Sequence, residues 1–287
     1  MRVFMLIVAL LPMLAMAAEQ PKSEEPDFHT FMMLVTVKLI GPDGTSGTGF
    51  IVSQDAALAA KPGNLVLVTA AHVFESVKGD EMTVVFRKRD ENGKWARSER
   101  KLTFKEGEKK LWSKHADVDA AAIVLPEGLC SCVVAAIQTE YLLDDKKLEE
   151  FDVHPGKDLI CLGFPYGIES SPAGFPILRS GKIASYPIFP SKETKSFLFD
   201  FNVFPGNSGG PVYFEDANPR GKGNSLIIGV RRGIIGLVTS ELSLSTLVQA
   251  PREQRQIQTP LQLGAVVHAS FIKELVESLK PQPQKEK

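Results

Sequence analysis

From residue 29 onward the chain is a succession of short apolar and β-branched runs, each closed by a cluster of Gly, Pro, Asn or Asp. Such runs predict many short strands joined by tight turns. Phe31–Ile40 is a long β-rich run closed by Gly41-Pro42-Asp43-Gly44. Ser46–Ser53 leads through glycines into a second strand, and Leu65–Thr69 is a third. Met82–Arg89 and Arg100–Lys105 flank the turn Asp90–Lys94; their many charges read as a solvated face. In the second half, Leu159–Gly167, Arg179–Ser185, Ile234–Glu241 and Gly264–Val267 carry the same signature, whereas Glu169–Ile177 and Glu215–Ser225 read as surface loops. The period changes at Phe271–Leu279, where apolar residues recur at helical spacing behind Ser270, an expected cap. That helix is expected to dock on the strands.

Composition narrows the classes. A hydrophobic fraction of 44% and a charged fraction of 23% are those of a folded globular chain. Lys+Arg 33 against Asp+Glu 34 leaves a net charge of −1, which offers no electrostatic footprint for nucleic acid or an anionic membrane. Residues 1–18 differ in kind: Arg2, the apolar run Val3–Leu11 and the small-residue end Ala15-Met16-Ala17-Ala18 form a secretory signal peptide, so the protein is expected to be exported. The polar residues 19–28 read as a disordered lead-in and the Pro- and Gln-rich residues 281–287 as a disordered tail. Cys130 and Cys132 are expected on one face of a strand, so either, but not both, could pair with Cys161; three buried thiols are the equal alternative. No His/Cys cluster shows ligand spacing, so neither a metal nor a cofactor is expected.

Three segments carry chemistry. In Phe204-Pro205-Gly206-Asn207-Ser208-Gly209-Gly210-Pro211, glycines around Ser208 imply a sharp exposed loop. The backbone N–H groups of Gly206 and Ser208 would lie beside the hydroxyl, the arrangement that holds a developing oxyanion in acyl transfer. His72 follows a strand at Thr69-Ala70-Ala71-His72, where small neighbours let the imidazole reach an edge, and is the expected base. Asp117 and Asp119 both precede the strand Ala120–Leu125; Asp119 borders the apolar run and is preferred as the carboxylate that orients His72, leaving Asp117 and His115 at the solvated loop mouth.

These motifs, with Gly47-Thr48-Gly49-Phe50 and in the order His72, Asp119, Ser208, resemble the trypsin-like (chymotrypsin-fold) serine proteases, and most nearly their bacterial HtrA/Deg-like branch. The resemblance implies an all-β fold of two packed six-stranded antiparallel barrels with a C-terminal helix. It divides the chain into a first barrel at 29–135, a linker at 136–150, a second barrel at 151–267 and a helix at 268–280. It also implies a serine endopeptidase acting on polypeptides through an acyl-enzyme. Asn207 stands where digestive and clotting proteases carry the aspartate that pairs with a new N-terminus, so activation by that cleavage is not implied; the Glu169–Ile177 loop is the expected substitute. The residues after the protease core are too few for the PDZ domain usual in the HtrA branch. The substrate pocket would be walled by Asn202, Val203 and Phe204 and by Thr239, Ser240 and Glu241; Asn202 replaces the acid that selects Lys or Arg, so a small or medium apolar side chain is expected. Two other readings use the same scaffold: a non-catalytic binding or chaperone-like module, and a glutamyl-specific endopeptidase.

Overall fold

The computed structural model describes residues 26–54, 63–217, 219, 229–250 and 253–279. The expected signal peptide, most of the lead-in, part of the Glu215–Ser225 loop and the tail lie outside them. Among the described residues no helix is long and apolar enough to cross a membrane.

The first described element corrects an expected strand. Phe28–Val35 is a helix, and the strand begins only at Thr36. The run Phe31-Met32-Met33-Leu34 lacks β-branching and favours helix. Asp27 starts it by accepting from the Thr30 N–H at 3.0 Å, and Phe28, Met32 and Val35 form its buried stripe. The β-branched Thr36–Ile40 then continues as strand.

The first unit is a sheet of eight strands in a barrel-like arrangement. Its hydrogen-bonded path runs Trp95–Thr103, Glu81–Arg89, Thr36–Ile40, Ser46–Ser53, Leu65–Thr69, Ala121–Val124, Ser113–Lys114. Ile137–Gln138, from the linker, adds parallel to Val52–Ser53. Leu65–Thr69 is wholly buried, as its unbroken apolar sequence demands. The second unit is a closed six-stranded antiparallel barrel: Asp158–Gly163, Ile177–Ile183, Ser196–Asp200, Glu253–His268, Arg231–Ala250, Pro211–Asp216 and back to the first. Its last hairpin is far longer than expected. Pairing between Arg231–Ala250 and Glu253–His268 continues beyond the barrel to Ala250 opposite Glu253, with register shifts between Val238 and Ser240 and between Glu241 and Ser243. The extension is largely polar, so no buried face marked it, and Leu244, Ile257 and Leu261 are exposed on it.

Chain ends cross over between the units. The N-terminal helix reaches the second barrel, with Phe28 edge-on to Tyr213 at 5.6 Å. The C-terminal helix, Ala269–Ser278, buries Phe271, Ile272, Leu275 and Val276 in the core cluster that holds Leu65–Val68 of the first unit. Gln54 of the first unit donates to the carbonyls of Val276 and Leu279 at 2.6 and 2.9 Å, satisfying the helix end. Ser270 is not the cap: His268 occupies that position without a side-chain bond, and the Ser270 hydroxyl donates instead to Ser191 at 2.9 Å. His115 is not at a solvated mouth either, because Phe271 lies edge-on to its ring at 5.0 Å. A separate core fills the second barrel around Phe197, Phe199, Val212, Ile235 and Val266.

All three cysteines are free thiols. Cys130 ends a short helix, Glu127–Cys130, rather than sharing a strand face with Cys132, and Cys161 sits in the second barrel's core. Burial pushes the Cys130 and Cys161 thiols up, leaving them small apolar fillers.

Candidate active site

His72 and Asp119 meet because one strand pair ends beside both. Thr69 pairs with Ala121 in the antiparallel ladder, so the residues after the one and before the other leave the sheet at the same end. Ala70 and Ala71 are fully buried, and a larger side chain at either would hold the short helix Ala71–Ser76 away from the sheet. The Asp119 carboxylate accepts twice from one residue: from the His72 backbone N–H at 3.0 Å and from the ring Nδ1–H at 2.6 Å. Burial pushes the Asp119 carboxyl up, but its hydrogen bonds and electrostatic interaction with His72 outweigh it and hold the group below the ordinary carboxylate range. With Nδ1 donating, Nε2 is left as an acceptor for a proton. Asp117 takes no part; its carboxylate faces Lys195 at 3.8 Å.

The Ser208 loop is held by its carbonyls. Pro205 O accepts from the Tyr166 N–H at 2.6 Å and Gly206 O from the Thr48 hydroxyl at 2.6 Å. Asn207 O accepts from the Gly210 N–H at 2.9 Å and Ser208 O from the Thr48 N–H at 2.9 Å. In a trans peptide C=O and N–H point in opposite directions, so fixing four successive carbonyls fixes the N–H groups joined to them. Asn207 N–H is used, on Phe204 O at 3.0 Å; those of Gly206 and Ser208 have no hydrogen-bond partner among the described residues. The loop needs glycine for its close approaches: a Cβ on Gly206 (φ 97°) would lie 2.2 Å from Phe164 O, and one on Gly209 (φ 86°) 2.1 Å from Thr48 O.

Ser208, Gly206 and His72 line one cavity of about 430 Å³, whose apolar lining includes Leu39, Val73, Val77 and Met82. Ser208 Oγ makes no hydrogen bond to His72; it donates to the Thr239 carbonyl at 3.1 Å. Rotation about the Ser208 Cα–Cβ bond redirects it.

The expected pocket residues divide. The Thr239 carbonyl accepts from Ser208 Oγ, Ser240 is exposed, and Glu241 pairs with Gly264. Val203 is withdrawn from the pocket, because its side chain packs into the second barrel's core against Phe201 and Gly264. Phe204 lies between the Tyr166 ring at 5.3 Å and the Arg179 guanidinium at 5.2 Å. Asn202 is half-buried, with its Oδ1 left without a partner among the described residues.

Sequence reasoning missed the supports. Thr48 lies between two glycines in the strand Ser46–Ser53, and its burial there is not marked by the local sequence. The Glu169–Ile177 loop is anchored by ions: Glu169 pairs with Lys38 at 2.9 Å and with Arg97, and the Lys38 ammonium also donates to Gly167 O. Burial raises the Glu169 carboxyl but the two cations outweigh it, holding it below its ordinary range. Arg87, almost wholly buried, donates to Gly174 O and to the carbonyls of Leu34 and Thr36; burial lowers its guanidinium to about 10.

Two β units, with a His–Asp pair from the first facing a serine loop from the second, define a protein of the two-barrel peptidase class. The trypsin-like peptidase domain family matches residues 47–219, and the chain belongs to it. Among solved structures, a thermostable serine protease, AL20, from an extremophilic microorganism is 13% identical with a TM-score of 0.45, covering 86% of this chain and 96% of that one. The atomic-resolution structure of HBP is 12% identical with a TM-score of 0.48, covering 88% and 96%. No curated protein matches the chain.

Proposed function

We propose that the protein is an exported serine endopeptidase, akin to the HtrA/Deg-like branch, that hydrolyses polypeptides through an acyl-enzyme. The observation that carries the proposal is the pairing of two features on one cavity: a histidine with Nδ1 tied to Asp119, and Ser208 beside two unengaged N–H donors. Ser208 Oγ attacks the peptide carbonyl as His72 Nε2 takes its proton; His72 then protonates the leaving amine, and water repeats the sequence on the ester. Gly206 and Ser208 N–H hold the oxyanion, each worth roughly 3–4 kcal/mol. Export rests on Arg2, Val3–Leu11 and Ala15–Ala18.

Ser208→Ala is expected to fold normally and to lose on the order of 10⁴ or more in casein hydrolysis, together with labelling by a fluorophosphonate. Casein cleavage at the parent rate would end the proposal. The Ser208–Thr239 hydrogen bond favours one competitor, a module that keeps the scaffold without turnover; an unlabelled but folded parent protein identifies it. Arg179 favours another. Its guanidinium lies over Phe204 and has no carboxylate partner among the described residues, which suits a glutamyl-specific site. A peptide-library cleavage profile separates Glu from apolar residues before the scissile bond.

A further inference from the structure

We infer that Thr48 is a positioning residue for the oxyanion donors, acting from the first unit on a loop of the second. The inference rests on the reading of Ser208 as nucleophile. Thr48 is fully buried and every polar atom it has is committed. Its hydroxyl donates to Gly206 O at 2.6 Å and accepts from the Phe164 N–H at 3.2 Å. Its backbone N–H donates to Ser208 O at 2.9 Å, and its carbonyl accepts from the Thr69 hydroxyl at 2.7 Å.

One side chain therefore ties together the two segments that flank the site. Phe164 begins the turn whose Tyr166 N–H holds Pro205 O, and Gly206 O lies one peptide further along the serine loop. Gly206 is the weak point of that loop, because glycine has no Cβ to resist rotation of its flanking peptides. Removing the Thr48 hydroxyl strands the Gly206 carbonyl and the Phe164 N–H in a buried place, and both regain partners only by turning. The Gly206–Asn207 peptide lies between the two peptides that carry the Gly206 and Ser208 N–H groups, so when it turns the two donors lose their common aim. Substrate contacts distant from the oxyanion are left as they were, so the deficit falls on the chemical step.

The test uses the full chain and two readouts: the second-order rate of fluorophosphonate labelling at Ser208, and the kcat and KM of peptide hydrolysis. Thr48→Val keeps the shape and removes the hydroxyl. It is expected to lower both labelling and kcat by about 10- to 1,000-fold, the range for a lost oxyanion donor, with KM changed little. Thr48→Ser restores the hydroxyl and is expected to stay within about threefold of the parent. Thr36→Val is the control for a merely structural loss: the Thr36 hydroxyl is also buried, on Met32 O at 2.8 Å, but touches no part of the loop. It is expected to lower stability and leave labelling unchanged. Parent-like labelling in a folded Thr48→Val variant overturns the inference. If that variant does not fold, a folded Thr48→Ser protein labelled more than about tenfold slower than the parent overturns it instead. A parent that is not labelled at all overturns the reading of Ser208 as nucleophile and this inference with it.

Discussion

At the scale of single residues, Asp119 decides how the site responds to acid. Its carboxyl is held below its ordinary value of 3.8 in the folded protein by His72. A carboxylate with a depressed folded value stabilises the fold fully above its unfolded value, and that contribution is lost as pH falls through the folded one. The His72–Asp119 pair is therefore expected to hold at and above the ordinary carboxylate value of 3.8 and to be lost only as pH falls through the lower folded value, as an acid titration of stability would show. Asp119→Asn replaces an acceptor by a group that can present N–H to Nδ1, favouring the wrong ring tautomer, and should lower kcat by about 10⁴ with the fold intact. A loss under tenfold, read by steady-state hydrolysis at neutral pH, would contradict that role. His72, Asp119 and Ser208 were legible because each announces itself in local sequence: alanines before the histidine, an apolar strand after the aspartate, glycines about the serine. Thr48 and Val203 were not. The carbonyl that Thr48 serves lies 158 residues away, and whether Val203 faces pocket or core depends on Gly264, sixty-one residues further along.

At the scale of elements, the turn and loop from Phe164 to Ile177 stand between the first sheet and the serine loop. Lys38 and Arg97 converge on Glu169, and Arg87 holds Gly174 O, so strands of the first unit grip this segment at three points. Glu169→Gln removes the charge on which two cations meet and leaves the buried Lys38 ammonium with a neutral neighbour. We expect the variant to fold, to label with fluorophosphonate several-fold more slowly, and to show faster amide hydrogen exchange across 164–177. Unchanged exchange there would show that the ions are decorative. Sequence patterning read Glu169–Ile177 as a loop, ran Leu159–Gly167 on as strand, and missed the anchors, since the ions come from three places in the chain. The Phe28–Val35 helix was hidden for a different reason: periodicity alone does not separate a buried strand from a buried helix in an apolar run without alternation, and the lack of β-branching over residues 31–34 together with the Asp27–Thr30 cap decides for helix.

For the whole molecule, the crossed chain ends make one cooperative body of two β units. Ile272, fully buried, follows the second barrel's last strand and packs in a core cluster that joins first-unit residues such as Leu65–Val68 to Leu237 and Val267 of the second barrel. Ile272→Ala is expected to cost about 2–5 kcal/mol, the usual range for truncating a fully buried Ile. Both tryptophans, Trp95 and Trp112, belong to the first unit, whereas backbone circular dichroism reports on both units. Urea transitions followed by tryptophan fluorescence and by circular dichroism should shift together in the variant. A dichroism shift without a fluorescence shift would mean that the helix stabilises only the unit it follows. The two-unit β architecture was readable from motif order, and the closed second barrel from its paired strands. The projecting hairpin was not, because the alternating apolar residues of its arms, Leu244, Ile257 and Leu261, are exposed and so carry no core signal.

The packing of Ala269–Ser278 into a core shared by both units also sets a schedule for biosynthesis. A ribosome delivers His72 and Asp119 early and Ser208 later, yet the core behind His72 stays open until the helix emerges. Every truncated nascent chain that stops before residue 269 lacks Phe271, Ile272, Leu275 and Val276 from that core. On the proposed function, a chain released before residue 269 is expected to be inactive even though it already carries His72, Asp119 and Ser208.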